Sequence, residues 1–173
     1  VLAGIGVVPE SQLATQARLK VENGIIVNSN YQTADAAIWA IGDVSRAPEI
    51  SPMRIESIHH AQYSASVAAA AMTAMPAPAP EAWWFWSDQY EVKFQMAGIV
   101  PVAREPELIS ITRAGRRENS LSVWSWLDGQ LVAIEAANDG QAYMIGKKCL
   151  EAGRHPDPQE IANTEFALKT LLE

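Results

Sequence analysis

The sequence predicts an α/β segment followed by a small α+β domain with an antiparallel sheet. Residues 1–75 combine short apolar runs, typical of buried strands, with an alanine-rich stretch that contains no glycine or proline. Residues 81–173 carry several short strand-like runs and an Asp128-Gly129 pair, which favours the type I′ turn of a β-hairpin. A chain of 173 residues is long enough for two small units with a core each.

In the first segment, residues 1–8 are expected to form a buried strand that ends at Pro9, because proline cannot donate to a sheet ladder. Ser11 is expected to cap a short helix. The Asn23-Gly24 pair predicts a turn, and residues 25–27 follow it as a short β-branched strand.

The stretch 33–44 predicts a turn, then a buried strand over residues 38–41, then Gly42 and Asp43 at the carboxyl end of that strand. Ligands of open α/β sheets bind at the carboxyl ends of strands. Gly42 would allow close approach to the backbone, and Asp43 offers a carboxylate to sugar-like hydroxyl groups. An ordinary buried strand that ends in a Gly-Asp turn is the alternative interpretation.

Residues 54–75 form the strongest helix signal in the chain. Its expected buried face consists of small and branched apolar residues, namely Ile55, Ile58, Ala61, Ala65 and Ala69. The alternating prolines of residues 76–80 predict an extended linker, and we place a domain boundary there.

The second segment is predicted to contain strands, a hairpin and helices. The expected strands cover residues 84–87, 91–96, 108–112, 120–127 and 130–136, the last two joined by Asp128-Gly129. A helix over 141–151 ends near Gly153, and short helical pieces follow at 159–162 and 166–172.

Composition excludes several classes of protein. The net charge of −7 argues against nucleic acid as a partner, because a phosphate backbone requires a basic face. No apolar run approaches the ~20 residues of a membrane span, so we expect no membrane partner. Cys149 is the only cysteine, which excludes an intrachain disulfide and predicts a cytoplasmic setting.

Other chemically capable side chains have simpler interpretations. His59 and His60 are adjacent, so they cannot share one helix face, and no acidic residue follows either of them at i+4; they are expected to be packing or surface residues, and no metal site is predicted. Cys149 is expected to be a buried, small apolar residue. Three arginines are interpreted as a solvated basic turn: Arg113, Arg116 and Arg117.

Two elements together carry a resemblance to a known family. The first is T-x4-I-x-A-I-G-D, which ends at Asp43, and the second is F-W-S-D-Q, residues 85–89, just after the proline-rich linker. Over essentially its whole length, the chain resembles the carboxyl-terminal portion of FAD-dependent NADH:ferredoxin (or rubredoxin) reductases. The first element is shared by many flavoproteins that bind two dinucleotides, whereas the second is narrower.

The resemblance implies cofactor-binding roles for six residues, namely Gly42, Asp43, Glu56, Ser57, Ile58 and Trp86. Asp43 matches the aspartate that contacts the ribityl chain of FAD. The helix start at Glu56, Ser57 and Ile58 matches one that faces the flavin ring, where a helix amino terminus stabilises negative charge. Trp86 matches a tryptophan beside the flavin and nicotinamide.

The resemblance also implies a domain organisation. Residues 1–9 would end an NAD-binding domain, and 10–75 would form the second segment of an FAD-binding domain. Residues 76–80 would be the linker, and 81–173 the carboxyl-terminal reductase domain.

Two functions remain open. In the first, the chain is part of a reductase that passes electrons from NADH through FAD to a ferredoxin or rubredoxin of an oxygenase system, and the arginines at 113–117 are an alternative docking point for an acidic ferredoxin. In the second, it is an inactive stable fragment that serves packing, docking or homo-oligomerisation. The second follows from a departure: the sequence contains no G-x-G-x-x-G turn for either dinucleotide.

Overall fold

The computed structural model describes residues 1–3, 6–51, 53–100 and 102–173. The chain divides into two compact units, Val1–Ala79 and Pro80–Glu173. A small parallel sheet with helices occupies the first unit, and a five-stranded antiparallel sheet with helices occupies the second. The predicted fold class is therefore confirmed, while the finer domain assignments stay a prediction.

The first unit is built around one long helix. Its elements are α1 (Gln12–Gln16), β1 (Ile25–Ile26), β2 (Ser45–Arg46) and α2 (Ile58–Thr73). β1 and β2 pair in parallel, with Ile25 opposite Ser45. The buried core lies between α2 and the loops on either side of β2, and consists of Val27, Tyr31, Ala40, Ala47, Val67 and Ala68.

The prediction of a buried strand over residues 1–8 is wrong for the described part of that stretch. Residues 1–3 and 6–8 form no strand, and Leu2, Val7 and Val8 are exposed. Gly4 and Ile5 lie outside the described residues. A strand exists only where a neighbour takes up its backbone hydrogen bonds, and no described strand pairs with this stretch.

The predicted strand over residues 38–41 is also wrong. Trp39 makes a single antiparallel bridge to Gln32, and the Ala40 N–H donates to the Tyr31 carbonyl at 3.0 Å. The Asp35 carboxylate accepts from the Ala37 N–H at 2.9 Å, which tightens the turn between the two arms. With a single bridge on this side of the turn, residues 38–41 do not form a ladder.

α2 is shorter than predicted and buries a different face. It begins after Ser57, whose Oγ accepts from the His60 N–H at 3.0 Å, and it ends at Ala74 in the left-handed conformation. Ile58 is exposed, although it was assigned to the buried face. The buried positions are instead His59, His60, Ser64, Val67, Ala68 and Ala70. Since alanine lines the helix on all sides, the sequence alone does not define which side packs.

The second unit is a five-stranded sheet against which two helices pack. Its strands are β3 (Trp84–Gln89), β4 (Val92–Gly98), β5 (Ile109–Ala114), β6 (Leu121–Leu127) and β7 (Gln130–Ala137), and its helices are α3 (Gly140–Glu151) and α4 (Pro158–Ala162). The strand order is β3-β4-β7-β6-β5, antiparallel throughout. The core lies between α3 and the central strands and includes the fully buried Trp124, Trp126 and Ile134.

Local signals in this unit are confirmed. Asp128 and Gly129 both have positive φ, at 51° and 76°, as a type I′ hairpin turn requires, and they join β6 to β7. The predicted helix is α3, and Asp139, which was not predicted as its cap, accepts from the Ala142 N–H at 3.0 Å. Cys149 is fully buried, and burial raises the pKa of its thiol.

The prediction of a solvated Arg113 is wrong. Arg113 lies on β5 with only 7% of its surface exposed. Its guanidinium donates to four carbonyl oxygens, those of Ile161, Asn163, Thr164 and Phe166. Arg116 and Arg117, in the following loop, are exposed as expected.

Candidate functional site

A tight 3₁₀ turn, Gly42–Val44, lies against α2 in the first unit. The Gly42 N–H donates to Ser64 Oγ of α2 at 2.9 Å, and the Gly42 carbonyl accepts from Ser45 Oγ at 2.8 Å. Gly42 has a φ of 67°, and a Cβ there would meet only Ala61, at an ordinary 3.7 Å. The left-handed backbone, rather than lack of space, therefore requires glycine at this position.

The turn presents Asp43 to solvent. The Asp43 side chain is exposed, and its carboxylate makes no hydrogen bond to any residue that the structure describes. Its main-chain carbonyl, in contrast, accepts from Arg54 Nη1 at 2.6 Å. The backbone of the residue is held in place while its carboxylate remains available as an acceptor for ligand hydroxyl groups.

Arg54 links three segments of this unit. Its side chain is only 6% exposed, and it forms an ion pair with Glu56 while it donates to the Asp43 carbonyl and, at 3.4 Å, to the Val7 carbonyl. The sequence pattern placed Arg54 inside a helix and gave it no role. Carbonyl ligands leave no mark in a sequence, so only the structure identifies Arg54 as the residue that positions this turn.

The amino end of α2 contains three of the predicted site residues. Ser57 uses its side chain as the helix cap, and Ile58, the first helical residue, is 54% exposed. Glu56 precedes the cap, so it is not a first-turn helix residue, and Arg54 neutralises its charge. An α-helix leaves its first four N–H groups without intrahelical partners, and the Ser57 side chain accounts for that of His60.

His60 lies in the first turn of α2. Its ring is buried and stands 5.7 Å from the ring of Tyr31. Burial lowers the pKa of His60, and the nearby charge of Asp43 opposes that shift in part. The imidazole is therefore neutral at pH 7 and adds no positive charge at this end of the helix.

The residues present fit the flavin half of FAD. Asp43 supplies an unoccupied acceptor, and α2 supplies a helix amino end. Ile41 and Ile58, the side chains that flank these groups, are exposed at 43% and 54%. Exposed apolar side chains beside a free carboxylate are what a flat aromatic ring with a polyhydroxyl chain would cover. Five of the six predicted site residues thus belong to the first unit, on the turn and at the start of α2.

The sixth residue, Trp86, belongs to the second unit. It lies on the edge strand β3, is 37% exposed, and its ring is 5.5 Å from that of Trp84. The two tryptophans border a shallow cavity of about 240 Å³ with Lys93, Gln95 and Tyr143. Trp86 therefore has an accessible aromatic face, as a stacking residue needs.

Sequence comparison assigns both units to the same class of oxidoreductase. Residues 84–172 match the profile of the family described as "Reductase C-terminal", and residues 1–65 match that described as "Pyridine nucleotide-disulphide oxidoreductase". The first match covers more than half of the chain. The chain therefore belongs to the Reductase C-terminal family, and the resemblance noted from its sequence is confirmed.

Characterised relatives share this assignment. Rhodocoxin reductase of Rhodococcus erythropolis is 34% identical over 175 residues, which covers 99% of this chain and 40% of the relative. The ferredoxin–NAD(+) reductase component of the anthranilate 1,2-dioxygenase system of Burkholderia cepacia is 35% identical over 178 residues, or 99% and 42%. The chain thus spans about two fifths of the length of these relatives.

Two solved structures of similar reductases superpose on this chain. The ferredoxin reductase for the CYP199A2 system from Rhodopseudomonas palustris superposes with a TM-score of 0.86 at 32% identity, over 96% of this chain and 41% of that chain. Putidaredoxin reductase, solved as a covalent complex with putidaredoxin, gives 0.87 at 30% identity, over 98% and 40%.

No helix among the described residues has the length and apolar character needed to cross a membrane. Within the same residues, no group of three or more histidine, cysteine or acidic side chains is arranged to hold a metal ion.

Proposed function

We propose that this chain is the carboxyl-terminal part of an NADH-dependent flavoprotein reductase that delivers electrons to a ferredoxin or rubredoxin of an oxygenase system. FAD, when bound, supplies the hydride-accepting and electron-transferring chemistry. The observation that carries the proposal is the free Asp43 carboxylate, on a left-handed glycine turn beside the amino end of α2.

Each residue has a distinct role in this proposal. Asp43 accepts hydrogen bonds from ribityl hydroxyl groups, and Gly42 lets the backbone turn so that Asp43 faces the ligand. The amino end of α2 favours negative charge on the adjacent ring system. Arg54 keeps the Asp43 backbone in place and neutralises Glu56.

Trp86 carries the role proposed in the second unit. Its exposed ring excludes water from an aromatic ligand laid against it. The relatives named for ferredoxin reduction, and the structure solved with putidaredoxin, support an iron–sulfur protein as the electron acceptor.

A flavin titration tests the proposal on the 173-residue chain. Flavin fluorescence is followed with FAD, with riboflavin, which lacks the pyrophosphate and adenine, and with lumiflavin, which lacks the ribityl hydroxyl groups. Because the chain contacts only the flavin half, FAD and riboflavin should bind with similar affinity. Asp43→Ala should weaken riboflavin about tenfold, the value of one charge-assisted hydrogen bond, and leave lumiflavin unchanged.

Glu118→Ala is the control, since it removes an exposed carboxylate of the second unit that lies outside β3 and the F-W-S-D-Q element. It should leave all three affinities unchanged. A chain that quenches no flavin, or an Asp43→Ala variant that binds riboflavin as the parent does, would contradict the assigned role of the turn.

The absence of a G-x-G-x-x-G turn favours a second candidate, a packing or docking module without activity of its own. The same titration distinguishes the two. A colourless chain that binds neither riboflavin nor FAD supports the second candidate, and a chain whose bound flavin bleaches on addition of NADH supports the first.

A further inference from the structure

A polar cavity of about 700 Å³ opens in the second unit, away from Trp86. The loop after β5, the start of α3 and the segment around residues 164–168 form its walls. None of the six residues assigned to the flavin site lines it. The cavity is therefore a separate feature of this unit.

The residues that line the cavity carry a net positive charge, whereas the chain as a whole is negative. Three arginines, Arg113, Arg116 and Arg117, face one carboxylate, that of Asp139, so the lining carries a net charge of +2. The chain as a whole carries −7. A local excess of positive charge in an acidic protein attracts anions to this point of the surface.

Two of these arginines have guanidinium groups without a partner among the described residues. The Arg116 and Arg117 side chains are exposed and make no hydrogen bond or ion pair within the described part of the chain. Arg104, by contrast, is paired with both Glu107 and Asp128. A pair of free guanidinium groups beside one cavity offers the planar donor forks that bind phosphate oxygens.

Arg113 adds a charge that is already buried. Its four side-chain hydrogen bonds go to neutral carbonyl oxygens, and the carboxylates of Asp139 and Glu165 act on it without forming an ion pair. Burial lowers the pKa of Arg113, because a buried cation is costly unless anions lie nearby. An anion in this cavity would lower that cost.

The cavity also has an apolar wall. Phe166 and Leu168, both partly buried, line the side formed by the carboxyl-terminal segment. A volume of about 700 Å³ exceeds the needs of an inorganic ion and falls within the usual range for organic ligands. Asp139 already serves the amino end of α3 as its cap, so the helix end is not the attraction, and the anion belongs on the arginine side.

We propose that this cavity binds a small organic phosphate, with its phosphate group on Arg116 and Arg117 and its apolar body against Phe166. The match rests on two free guanidinium groups for a dianion, the buried charge of Arg113 in the same cavity lining, and a cavity larger than the phosphate group alone.

Isothermal titration of the full chain with phenyl phosphate tests this proposal. Phenyl phosphate is neither a flavin nor a pyridine nucleotide, so the result does not depend on the proposed redox function. Phenyl phosphate should bind more tightly than inorganic phosphate or phenol, and added salt should weaken its binding. The double variant Arg116→Ala/Arg117→Ala should lose at least about tenfold in affinity, as the loss of charge-assisted hydrogen bonds predicts.

Arg104→Ala is the control, because it removes an arginine outside the cavity and should leave the affinity unchanged. Circular dichroism of the double variant should match the parent, since both side chains are exposed. Absence of binding at millimolar phenyl phosphate overturns the proposal. Equal binding by the double variant, or phenol binding as tightly as phenyl phosphate, overturns it as well.

Discussion

Arg113 connects the segment 161–166 to strand β5 through its side chain. Four carbonyl groups of the segment 161–166 accept hydrogen bonds from the guanidinium of Arg113, and that of Asn163 also accepts from the Phe166 N–H at 3.0 Å. A buried carbonyl without a donor is costly, and the guanidinium group supplies four N–H donors in one plane. The residue thus ties the last part of the chain to the edge of the sheet.

Arg113→Ala should lower the free energy of unfolding of the second unit by about 2–4 kcal/mol, because one buried and three partly buried carbonyl groups lose a donor. Arg113→Lys should recover only part of that loss, since an ammonium group has three donors and no planar fork. Urea unfolding followed by tryptophan fluorescence measures both. Arg116→Ala, at an exposed position, is the control and should stay within about 0.5 kcal/mol of the parent. A harmless Arg113→Ala substitution would show that water replaces the guanidinium group.

At the scale of elements, the packing of α3 on β7 depends on Gly146. A Cβ built at this glycine would stand 2.5 Å from Ile134 Cδ1 and 2.8 Å from Ile134 Cγ2. Ile134 is fully buried in the centre of the sheet and cannot move away. The helix therefore approaches the strand as closely as a side chain consisting of hydrogen alone allows.

Gly146→Ala should destabilise the second unit by about 1–3 kcal/mol through overpacking, despite the better helix propensity of alanine. Ile134→Val removes the atom in closest conflict, so the double variant should be more stable than the two single effects added together. Thermal unfolding of all four proteins completes the cycle. Gly140→Ala, where a Cβ would meet only Gln95 Oε1 at 3.4 Å, should leave stability unchanged. Strict additivity of the two substitutions would contradict this account of the contact.

At the scale of the whole molecule, the two units have separate cores and different responses to acid. His60 is buried in the first unit, and burial lowers its pKa below the ordinary 6.5. At a pH between the folded and unfolded pKa values, the unfolded chain binds a proton at His60 that the folded first unit does not bind. Stability from the neutral His60 is therefore complete above about pH 6.5 and is lost as pH falls through that value toward the folded pKa.

Between pH 7.5 and 5.5, residues 58–73 should lose protection from amide hydrogen exchange while residues 121–151 keep theirs. Mass spectrometry of exchange, corrected for intrinsic rates, reads the two units separately. His60→Gln, which stays neutral throughout, should reduce the pH dependence of the first unit, and carboxylates titrate mainly below this range. An equal loss in both units, or an unchanged dependence in the variant, would assign the effect to other groups.

Some features of this protein follow from the sequence alone, because their causes are local. Asp128-Gly129 adopts positive φ values with little cost, so the β6–β7 hairpin forms as predicted. The motif that ends at Asp43 is likewise recognisable in the sequence, because it is a short run of fixed residues. The family followed from such short motifs.

Only the tertiary structure decided the features that depend on distant partners. Residues 38–41 are apolar, as in a buried strand, but only Trp39 pairs with another segment, through one bridge. The side of α2 that is buried depends on which parts of the chain pack against it. Arginine is usually exposed, but Arg113 is buried, and it donates to the carbonyl groups of Asn163 and Thr164, about fifty residues later in the chain. Arg54 holds the Asp43 turn through a backbone atom, which no side-chain pattern records. Hydrogen-bond partners and burial are set by where the chain returns in space, so they appear only once the fold is formed.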